Sequence, residues 1–368
     1  MKTDGRDQVL DNIFMSFEKM AKKMTSKNTG MLLVHSDEHD IHRKSAFNID
    51  AKVNNGPDQP YHFASIGKTM TSVMTAILYE KDLLDFNDNL FKYLNENILK
   101  NLHIYKGEDH TKNIKIKHLL NHTSGLADYY TDKSRDKIRL VDKMVSEPDK
   151  YWSPDETIEW TKENLSPIAG PGKRFHYSDT NYQLMGLIIE NITGMALHDC
   201  YHKFIFKPLG MDNSYMIFHS EPKKRNELPV IDLFYKGINL TKAKSISMSW
   251  ASGGVVSTSE DMLKFLNAIV HHKIIKPETH LIMQDWAKMS FNIKYGYGLI
   301  YFTFPGMSKK YDIWGNSGSI GAFWYYNPAF DTYFIGSFNE MNLQVPPIIF
   351  IFNSLRKIKK AMKRKLII

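Results

Sequence analysis

Ser65 and Lys68 stand three residues apart in the stretch Ser65-Ile66-Gly67-Lys68, which follows Tyr61-His62-Phe63-Ala64. On a helix, positions i and i+3 share a face, so the amine lies within hydrogen-bonding reach of the hydroxyl. A helix amino terminus also favours the alkoxide that develops as a serine attacks. These are the conditions under which an inert serine becomes a nucleophile. The spacing alone is not selective, because Ser-x-x-Lys begins at Ser16, Ser65, Ser134, Ser220 and Ser354. A second stretch runs from Pro171 to Tyr182 and contains Tyr177-Ser178-Asp179. A tyrosine beside a lysine can have its phenol pKa lowered by the positive charge, then accept a proton from serine and return it to a leaving group. Tyr-x-Asn/Asp occurs at Tyr93 and Tyr130 as well. A third stretch is Trp314-Gly315-Asn316-Ser317-Gly318-Ser319-Ile320-Gly321. Its small residues interrupt a strand and leave room for a ligand backbone alongside.

The elements that must hold these side chains are readable from periodicity. Residues 65–79 read as a helix with Met70, Val73, Met74 and Ile77 on the buried side. Leu10, Ile13, Phe14, Phe17, Met20, Ala21 and Met24 follow the same period near the start, and Ile351, Leu355, Ile358 and Met362 follow it near the end. Strand patterns appear at 31–35 and 45–51, joined by a polar segment over 36–44, and return at 297–303, 311–314, 322–326 and 332–338. The connector holds His35, Asp37, Glu38, His39, Asp40 and His42. Strand alternation is expected to scatter these side chains, so the connector reads as a solvated turn and not as a metal site. Residues 86–246 are richer in charged helical patches, with turn signals at Ser166-Pro167 and Gly170-Pro171-Gly172. The expectation is an α+β fold in which residues 1–85 and 246–368 build a sheet domain and residues 86–245 form a helical insertion.

Composition narrows the function classes. With 42% hydrophobic residues, Gly 21 and Pro 14 in 368 residues, the chain is neither collagen-like nor disordered. Cys200, the single cysteine, permits no intrachain disulfide and no cysteine-built zinc site; it reads as a buried apolar side chain. Arg356, Lys357, Lys359, Lys360, Lys363, Arg364 and Lys365 lie in the last thirteen residues, and removing these seven charges from the net +8 leaves +1. The body is therefore nearly neutral and offers no basic face to a phosphate backbone, so no nucleic acid is expected. The basic end reads as a docked amphipathic helix, with weak contact to an anionic membrane surface as the sharper alternative. No apolar run approaches the roughly 18 residues of a membrane span. The acidic and basic residues Asp4, Arg6, Asp7 and Asp11 precede any apolar stretch, so the chain as written is expected in the cytoplasm, or outside it if a leader was removed.

Taken in order, residues 65–68, 177–179 and 316–318 resemble the three active-site elements of the serine β-lactamase and penicillin-binding protein superfamily, in its class C β-lactamase-like branch. Residues 118–126, His-Leu-Leu-Asn-His-Thr-Ser-Gly-Leu, resemble that family's LLxHTSGL segment. Residues 252–258 followed by Asp261 resemble its GGLxST turn and helix. The related Ser-Asp-Asn and Lys-Thr-Gly pattern belongs to another branch. The resemblance covers about residues 7 to 360 and implies a β-lactamase/transpeptidase-like fold: an antiparallel sheet flanked by helices from both termini, with an inserted all-helical domain and the site in the cleft between them. It implies Ser65 as the acylated nucleophile, Lys68 as the group that holds and activates it, and Tyr177 as the general base. It further implies an oxyanion hole from the backbone amides of Ser65 and Ser319, with no metal or organic cofactor.

Two departures bear on substrate. Class C β-lactamases carry Asn two residues after the tyrosine and Lys at the head of the third element, whereas this chain has Asp179 and Asn316. Asparagine can only hydrogen-bond where lysine would attract a substrate carboxylate. Asp179 as an anion pairs with Lys68 or attracts a substrate ammonium. The expected activity is hydrolysis of small esters or amides, D-aminoacyl ones among them. A weak β-lactamase or D-Ala-D-Ala carboxypeptidase and an inactive binding homologue are the alternatives. Asp179, Asn316, Gly318 and Ser319 are the expected substrate-binding residues. Tyr129, Tyr130, Trp152, Tyr295 and Trp314 are candidate liners of the acyl pocket, and His122 is expected to be structural. The sequence leaves the oligomeric state open.

Overall fold

The computed structural model describes residues 5–25, 29–47 and 56–364. Alternation along the strands decides the layering. In strand Gly30–Ser36, Leu32 and Val34 enter one apolar cluster while Met31 and Leu33 enter another, because successive side chains of a strand point to opposite faces. Both faces of the sheet are therefore covered. Eight antiparallel strands form this sheet, in the order Ala287–Lys288, Ile293–Tyr295, Ile300–Phe302, Ile313–Ser317, Phe323–Asn327, Thr332–Ser337, Gly30–Ser36 and Ile41–Phe47. The two early strands thus extend the sheet made by the late ones, with Met31 opposite Ser337.

Helices Gly5–Met24 and Val345–Lys363 lie on one face and on each other. Leu10, Ile13, Phe14 and Phe17 of the first and Phe350, Ile351, Leu355 and Ile358 of the second meet Leu32, Val34, Phe323 and Phe334 of the sheet. Arg356, Lys360, Lys363 and Arg364 stay exposed on the far side of the last helix. No helix among the described residues is long and apolar enough to cross a membrane. On the other face, helix Ser259–Val270 packs against Met31, Leu33, Trp324 and Ile335. Thr258 caps that helix, its hydroxyl accepting from the Asp261 N–H at 3.2 Å, and Trp324 Nε1 donates to the Met262 carbonyl at 2.9 Å.

The second strand begins at Ile41, earlier than the expected Ser45. Residues 37–40 make a tight turn with Asp40 at φ 48°, and strand Ile41–Phe47 follows at once; the expected continuation over 48–51 lies outside the described residues. The short turn brings His35 and His42 opposite each other across the two strands, Nδ1 to Nδ1 at 3.1 Å. Pairing replaces the expected scattering, yet no group of three such residues among those described is arranged to hold a metal.

Between the two parts of the sheet, residues 86–253 carry helices Ile116–Leu120, Leu140–Ser146, Pro154–Asn164, Asp179–Thr193 and Leu197–Tyr201, along with smaller turns. They also carry two minimal hairpins, Ile104–Tyr105 with Glu108–Asp109 and Phe234–Tyr235 with Ile238–Asn239. Strand Tyr215–Met216 completes a three-stranded sheet with Tyr61–His62 and Val255–Ser257. Helix Gly67–Glu80 runs between these layers with residues 67–78 all buried. A helix without an exposed face must satisfy its polar side chains internally. Its hydroxyls do so across to neighbours: Thr69 donates to the Gly298 carbonyl at 2.6 Å and Thr71 to the Ala251 carbonyl at 2.5 Å.

Candidate active site

Ser65 sits in a single turn of 3-10 helix, Ala64–Ile66, that runs directly into helix Gly67–Glu80. Ala64, the residue before it, has φ 45°, a left-handed conformation that costs a non-glycine residue roughly 1–3 kcal/mol and persists only where the surroundings enforce it. Two glycines supply the enclosure. A Cβ on Gly253 would lie 2.9 Å from the Ala64 carbonyl carbon, and one on Gly318 would lie 2.7 Å from the Phe63 oxygen and 3.0 Å from Ala64 Cβ. The serine is thereby presented by a turn clamped from both sides.

Lys68, one turn on, is fully buried. Its Nζ donates to Ser65 Oγ at 3.2 Å and to the Ser252 carbonyl at 3.0 Å, and it forms an ion pair with Asp179 Oδ1. Three acceptors use the three N–H bonds of an ammonium. The charge also lies 5.0 Å from the ring centre of Tyr177 and 5.6 Å from that of Tyr182, a cation–π arrangement. Of the five Ser-x-x-Lys pairs, only Ser65 and Lys68 bring hydroxyl and amine together among the described residues.

The Tyr177 phenol lies close to Ser65. The tyrosine is held in place by His122, whose ring centre lies 4.3 Å away, with Phe175 and Tyr295 also against that imidazole. His122 Nδ1 accepts from the Ser178 backbone N–H at 3.1 Å, and burial and the nearby Lys68 charge hold this imidazole well below its ordinary pKa. It is a neutral structural ring. The expected lowering of the Tyr177 pKa is corrected: burial first, and then the charge of Asp179, push the phenol well above its ordinary value.

Asp179 opens helix Asp179–Thr193, where the free N–H groups of a first turn favour a carboxylate. Its own N–H donates to Asp128 Oδ1 at 2.9 Å. Asp128 is buried, and burial together with the neighbouring Asp179 pushes its carboxyl up to about 7. Asp128 also accepts from the N–H groups of Tyr130 and Thr131 at 3.2 and 3.0 Å, so it braces the turn that carries Tyr130.

Ser65 and Asp179 open on a cavity of about 40 Å³ lined also by His62, Ala64, Tyr130, Met144, Leu233, Ile246, Ser249, Ser252, Gly253, Ser319, Ile320 and Met341. That is room for roughly three water-sized groups. Of the five candidate aromatic liners, Tyr130 alone lines this cavity. Tyr129 is buried behind it and donates to the Met248 carbonyl at 2.6 Å. Tyr295 packs against Tyr177 and His122, Trp152 is buried elsewhere, and Trp314 lies against His280 and Tyr326.

Asn316 is turned away from the cavity. Its amide donates to Thr69 Oγ1 and the Gly298 carbonyl, each at 3.0 Å, and its Oδ1 accepts from the Ser317 N–H at 2.8 Å. The expected contact between Asn316 and substrate is corrected accordingly: the side chain ties strand Ile313–Ser317 to the nucleophile's helix. Gly318 is a spacer beneath Ala64, and Ser319 reaches the cavity. Sequence reasoning passed over His62, Asp128 and the apolar wall of Met144, Leu233, Ile246 and Met341. None stands at a motif position, and tertiary packing brings them in.

A sequence model described as Beta-lactamase matches residues 18–347. The chain is 23% identical over 286 residues to a teichoic acid D-alanine hydrolase of Staphylococcus aureus strain MRSA252, an alignment covering 76% of this chain and 62% of that protein. The chain thus spans about three-fifths of the length of that relative. Its fold is similar to the D-amino acid amidase of Ochrobactrum anthropi SV3 in complex with D-phenylalanine, with TM-score 0.77 at 18% identity over 97% of this chain and 99% of that one. It is also similar to a D-stereospecific amidohydrolase from Streptomyces sp., with TM-score 0.72 at 20% identity over 95% and 97% of the two chains.

Proposed function

Because the chain belongs to the Beta-lactamase family, we propose that it is a serine hydrolase that forms an acyl-enzyme on Ser65 and acts on small D-aminoacyl amides or esters. The observation that carries this reading is the Ser65–Lys68–Tyr177 constellation with the Asp179 carboxylate at the edge of the same small cavity. Ser65 Oγ attacks the substrate carbonyl carbon while Lys68 holds the oxygen in position by its hydrogen bond. Tyr177, a neutral phenol, relays the proton: it takes the serine proton on its oxygen as it passes its own to the departing nitrogen or oxygen. Water repeats the exchange in reverse on the acyl-enzyme and frees Ser65. The backbone N–H groups of Ser65 and Ser319 are assigned to the oxyanion, a contribution of about 3 kcal/mol.

Asp179 is assigned to the substrate's ammonium. The carboxylate is only partly engaged by Lys68, and a second cation at the cavity edge finds the charge it needs. The relatives support a D-amino acid: three similar proteins are a teichoic acid D-alanine hydrolase, a D-amino acid amidase and a D-stereospecific amidohydrolase. We extend the assignment to the domains, with residues 1–85 and 246–368 as the sheet part and 86–245 as the insertion that walls the site.

The test compares turnover of D-alanine p-nitroanilide with that of a short-chain p-nitrophenyl ester, using Ser65→Ala as the blank. Anilide cleavage that depends on the free amine and vanishes in the variant is the expected result. Activity that survives in Ser65→Ala removes the proposed nucleophile.

A further inference from the structure

His35 of strand Gly30–Ser36 and His42 of strand Ile41–Phe47 stand opposite each other across the tight turn, on the side of helix Ser259–Val270, whose Glu260 reaches them. One nitrogen of each ring is committed to a carboxylate: His35 Nε2 lies 3.1 Å from Asp37 Oδ1, and His42 Nε2 lies 2.9 Å from Glu260 Oε1. An ionised carboxylate only accepts, which assigns the proton of each neutral ring to Nε2. Both Nδ1 atoms are then acceptors, and they face each other at 3.1 Å. Two neutral rings have nothing to place between these lone pairs, whereas one shared electrophile joins them. The carboxylates are fixed in turn: Asn267 Nδ2 donates to Asp37 Oδ2 at 3.1 Å, and Lys44 Nζ donates to Glu260 Oε1 at 2.6 Å.

We propose that His35 and His42 bind a divalent first-row transition-metal ion, of the Zn²⁺, Ni²⁺ or Cu²⁺ class, through their Nδ1 atoms. Two metal–nitrogen bonds of about 2.0–2.1 Å set their nitrogens about 3.3 Å apart at a tetrahedral angle and about 2.9 Å apart at a right angle. The observed 3.1 Å lies between the two, so the pair already has the bite of a chelate. A carboxylate behind each imidazole is the usual outer support of a metal-bound histidine, because it fixes the tautomer and makes the ligating nitrogen more basic. Neutral nitrogen donors select against Mg²⁺ and Ca²⁺, which take oxygen ligands. Among the described residues no third histidine, cysteine or carboxylate is placed to ligate with them, and the side chains of His35 and His42 are 14% and 46% exposed, so water completes the coordination. The surrounding charge suits a cation: Asp37 and Glu260 stand behind the rings, and Lys44, which offsets Glu260, is shared with Asp58. Ile41–Phe47 is an edge strand of the eight-stranded sheet. An ion held there ties that edge to its neighbouring strand and, through Glu260, to the helix above.

The experiment titrates Zn²⁺ into the full chain at neutral pH by isothermal calorimetry and measures the Tm with and without excess Zn²⁺. One high-affinity ion per chain is expected, together with a rise in Tm by mass action. His35→Asn and His42→Asn are each expected to weaken binding by about 100-fold or more and to abolish the rise in Tm, since losing only the support behind a ligand costs about 10–100-fold. Asp37→Ala keeps both imidazoles and is expected to lose about tenfold or more. His198→Asn alters a separate histidine pair, with His219, whose ring centres lie 5.9 Å apart, and is expected to bind as the wild type does. The Tm of each variant without metal separates loss of a ligand from loss of the fold. A wild type that binds no Zn²⁺ would mean that the two rings share a proton instead, and would overturn the proposal. Binding that survives in both His35→Asn and His42→Asn, or that falls equally in His198→Asn, would overturn it as well.

Discussion

The carboxylate of Asp179 closes directly on the ammonium of Lys68, at the position where class C β-lactamases carry asparagine. Both groups are largely withdrawn from water, with the lysine side chain fully buried and that of Asp179 9% exposed. A pair of this kind adds little net stability, but removing one member leaves the other as an uncompensated buried charge. Its consequence here is chemical. Lys68 is held as a hydrogen-bond donor to Ser65, and its charge no longer acts on Tyr177 as that of an isolated lysine would.

Asp179→Asn therefore reverses one of the two departures from the class C pattern while leaving Asn316 in place. The variant leaves Lys68 without its counter-charge, and a loss of about 3 kcal/mol in stability is expected. It also removes the anion proposed to meet the substrate. Steady-state kinetics on D-alanyl and propionyl anilides should show the preference for the amine falling by at least about tenfold, through KM. Retention of that preference would place ammonium recognition elsewhere in the cavity.

Tyr177 sets the pH profile. Its phenol is pushed well above the ordinary value by burial and by Asp179, so the phenolate is scarce throughout the neutral and mildly alkaline range. A phenolate base would make kcat/KM climb about tenfold per pH unit up to that pKa. A neutral phenol that relays protons predicts a flat profile. For a short-chain p-nitrophenyl ester, which has no titrating group of its own, kcat/KM corrected for the Ser65→Ala blank should change less than about threefold from about pH 8 to about pH 10. A steep rise would return Tyr177 to the role of general base.

What was legible beforehand follows from how locally each feature is encoded. Ser65 and Lys68 are one helical turn apart, and Tyr177 and Asp179 share one turn, so both pairs were visible as short patterns whose order along the chain carried the family likeness. The two terminal helices and the strands from Ile300 onward were legible because their apolar periods are regular, whereas strands Ala287–Lys288 and Ile293–Tyr295 are too short to carry a period. The direction of the Asn316 side chain was not, because it depends on Thr69 and the Gly298 carbonyl, partners that are far apart in sequence. His62 and Asp128 were missed for the same reason. Each acquires its significance from a neighbour, a cavity in one case and the Asp179 N–H in the other, that only the folded chain supplies.

Asp128 predicts a stability change with a definite sign. Its carboxyl stands at about 7 in the folded protein against an ordinary value of 3.8, burial being the larger cause and Asp179 the next. The folded state therefore holds the proton more tightly than the unfolded chain does. The stability this contributes is fully present below about pH 4 and is lost as the pH rises to about 7. Asp128→Asn should lower the Tm, since an amide cannot accept all the N–H bonds that the carboxylate does. The deficit relative to wild type should shrink between about pH 4 and about pH 7, by an amount on the order of a few kcal/mol. A deficit constant across that range would mean that Asp128 is ionised throughout.

Gly253 and Gly318 test whether the strained turn matters to the chemistry. An added methyl group at Gly253 would meet the Ala64 carbonyl carbon at 2.9 Å, and backbone there has nowhere to move without carrying Ser65 with it. Gly253→Ala should cost about 1–3 kcal/mol in stability and lower kcat by about 100-fold or more, because a shift near 1 Å at the nucleophile is enough for that. The check is the pre-steady-state burst of p-nitrophenol with ester in excess over enzyme, which reports acylation directly. A folded Gly253→Ala protein with a normal burst would show that the turn tolerates the methyl group.

Acyl-chain length should be governed by the apolar wall, not by the motif residues. Ile246 lies in the short helical turn Lys244–Ser249 and meets the cavity together with Met144 and Leu233, so its side chain limits how far an acyl group can extend from Ser65. Ile246→Ala removes three carbon atoms from a buried side chain, which costs about 2–4 kcal/mol in stability and enlarges the cavity beyond its present 40 Å³ or so. Each methylene of substrate that the wild type must leave outside can then be buried, at about 0.8 kcal/mol apiece. Across p-nitrophenyl acetate, butyrate and hexanoate, the wild type should favour the acetate. The variant should move toward butyrate and hexanoate by roughly fourfold for each additional methylene accommodated. The D-alanyl anilide separates size from charge, because its preference over the propionyl anilide depends on Asp179 and not on the wall. That preference should survive in Ile246→Ala even as the ester series shifts. An unchanged ester series would mean that the acyl group leaves Ser65 in another direction, away from the insertion.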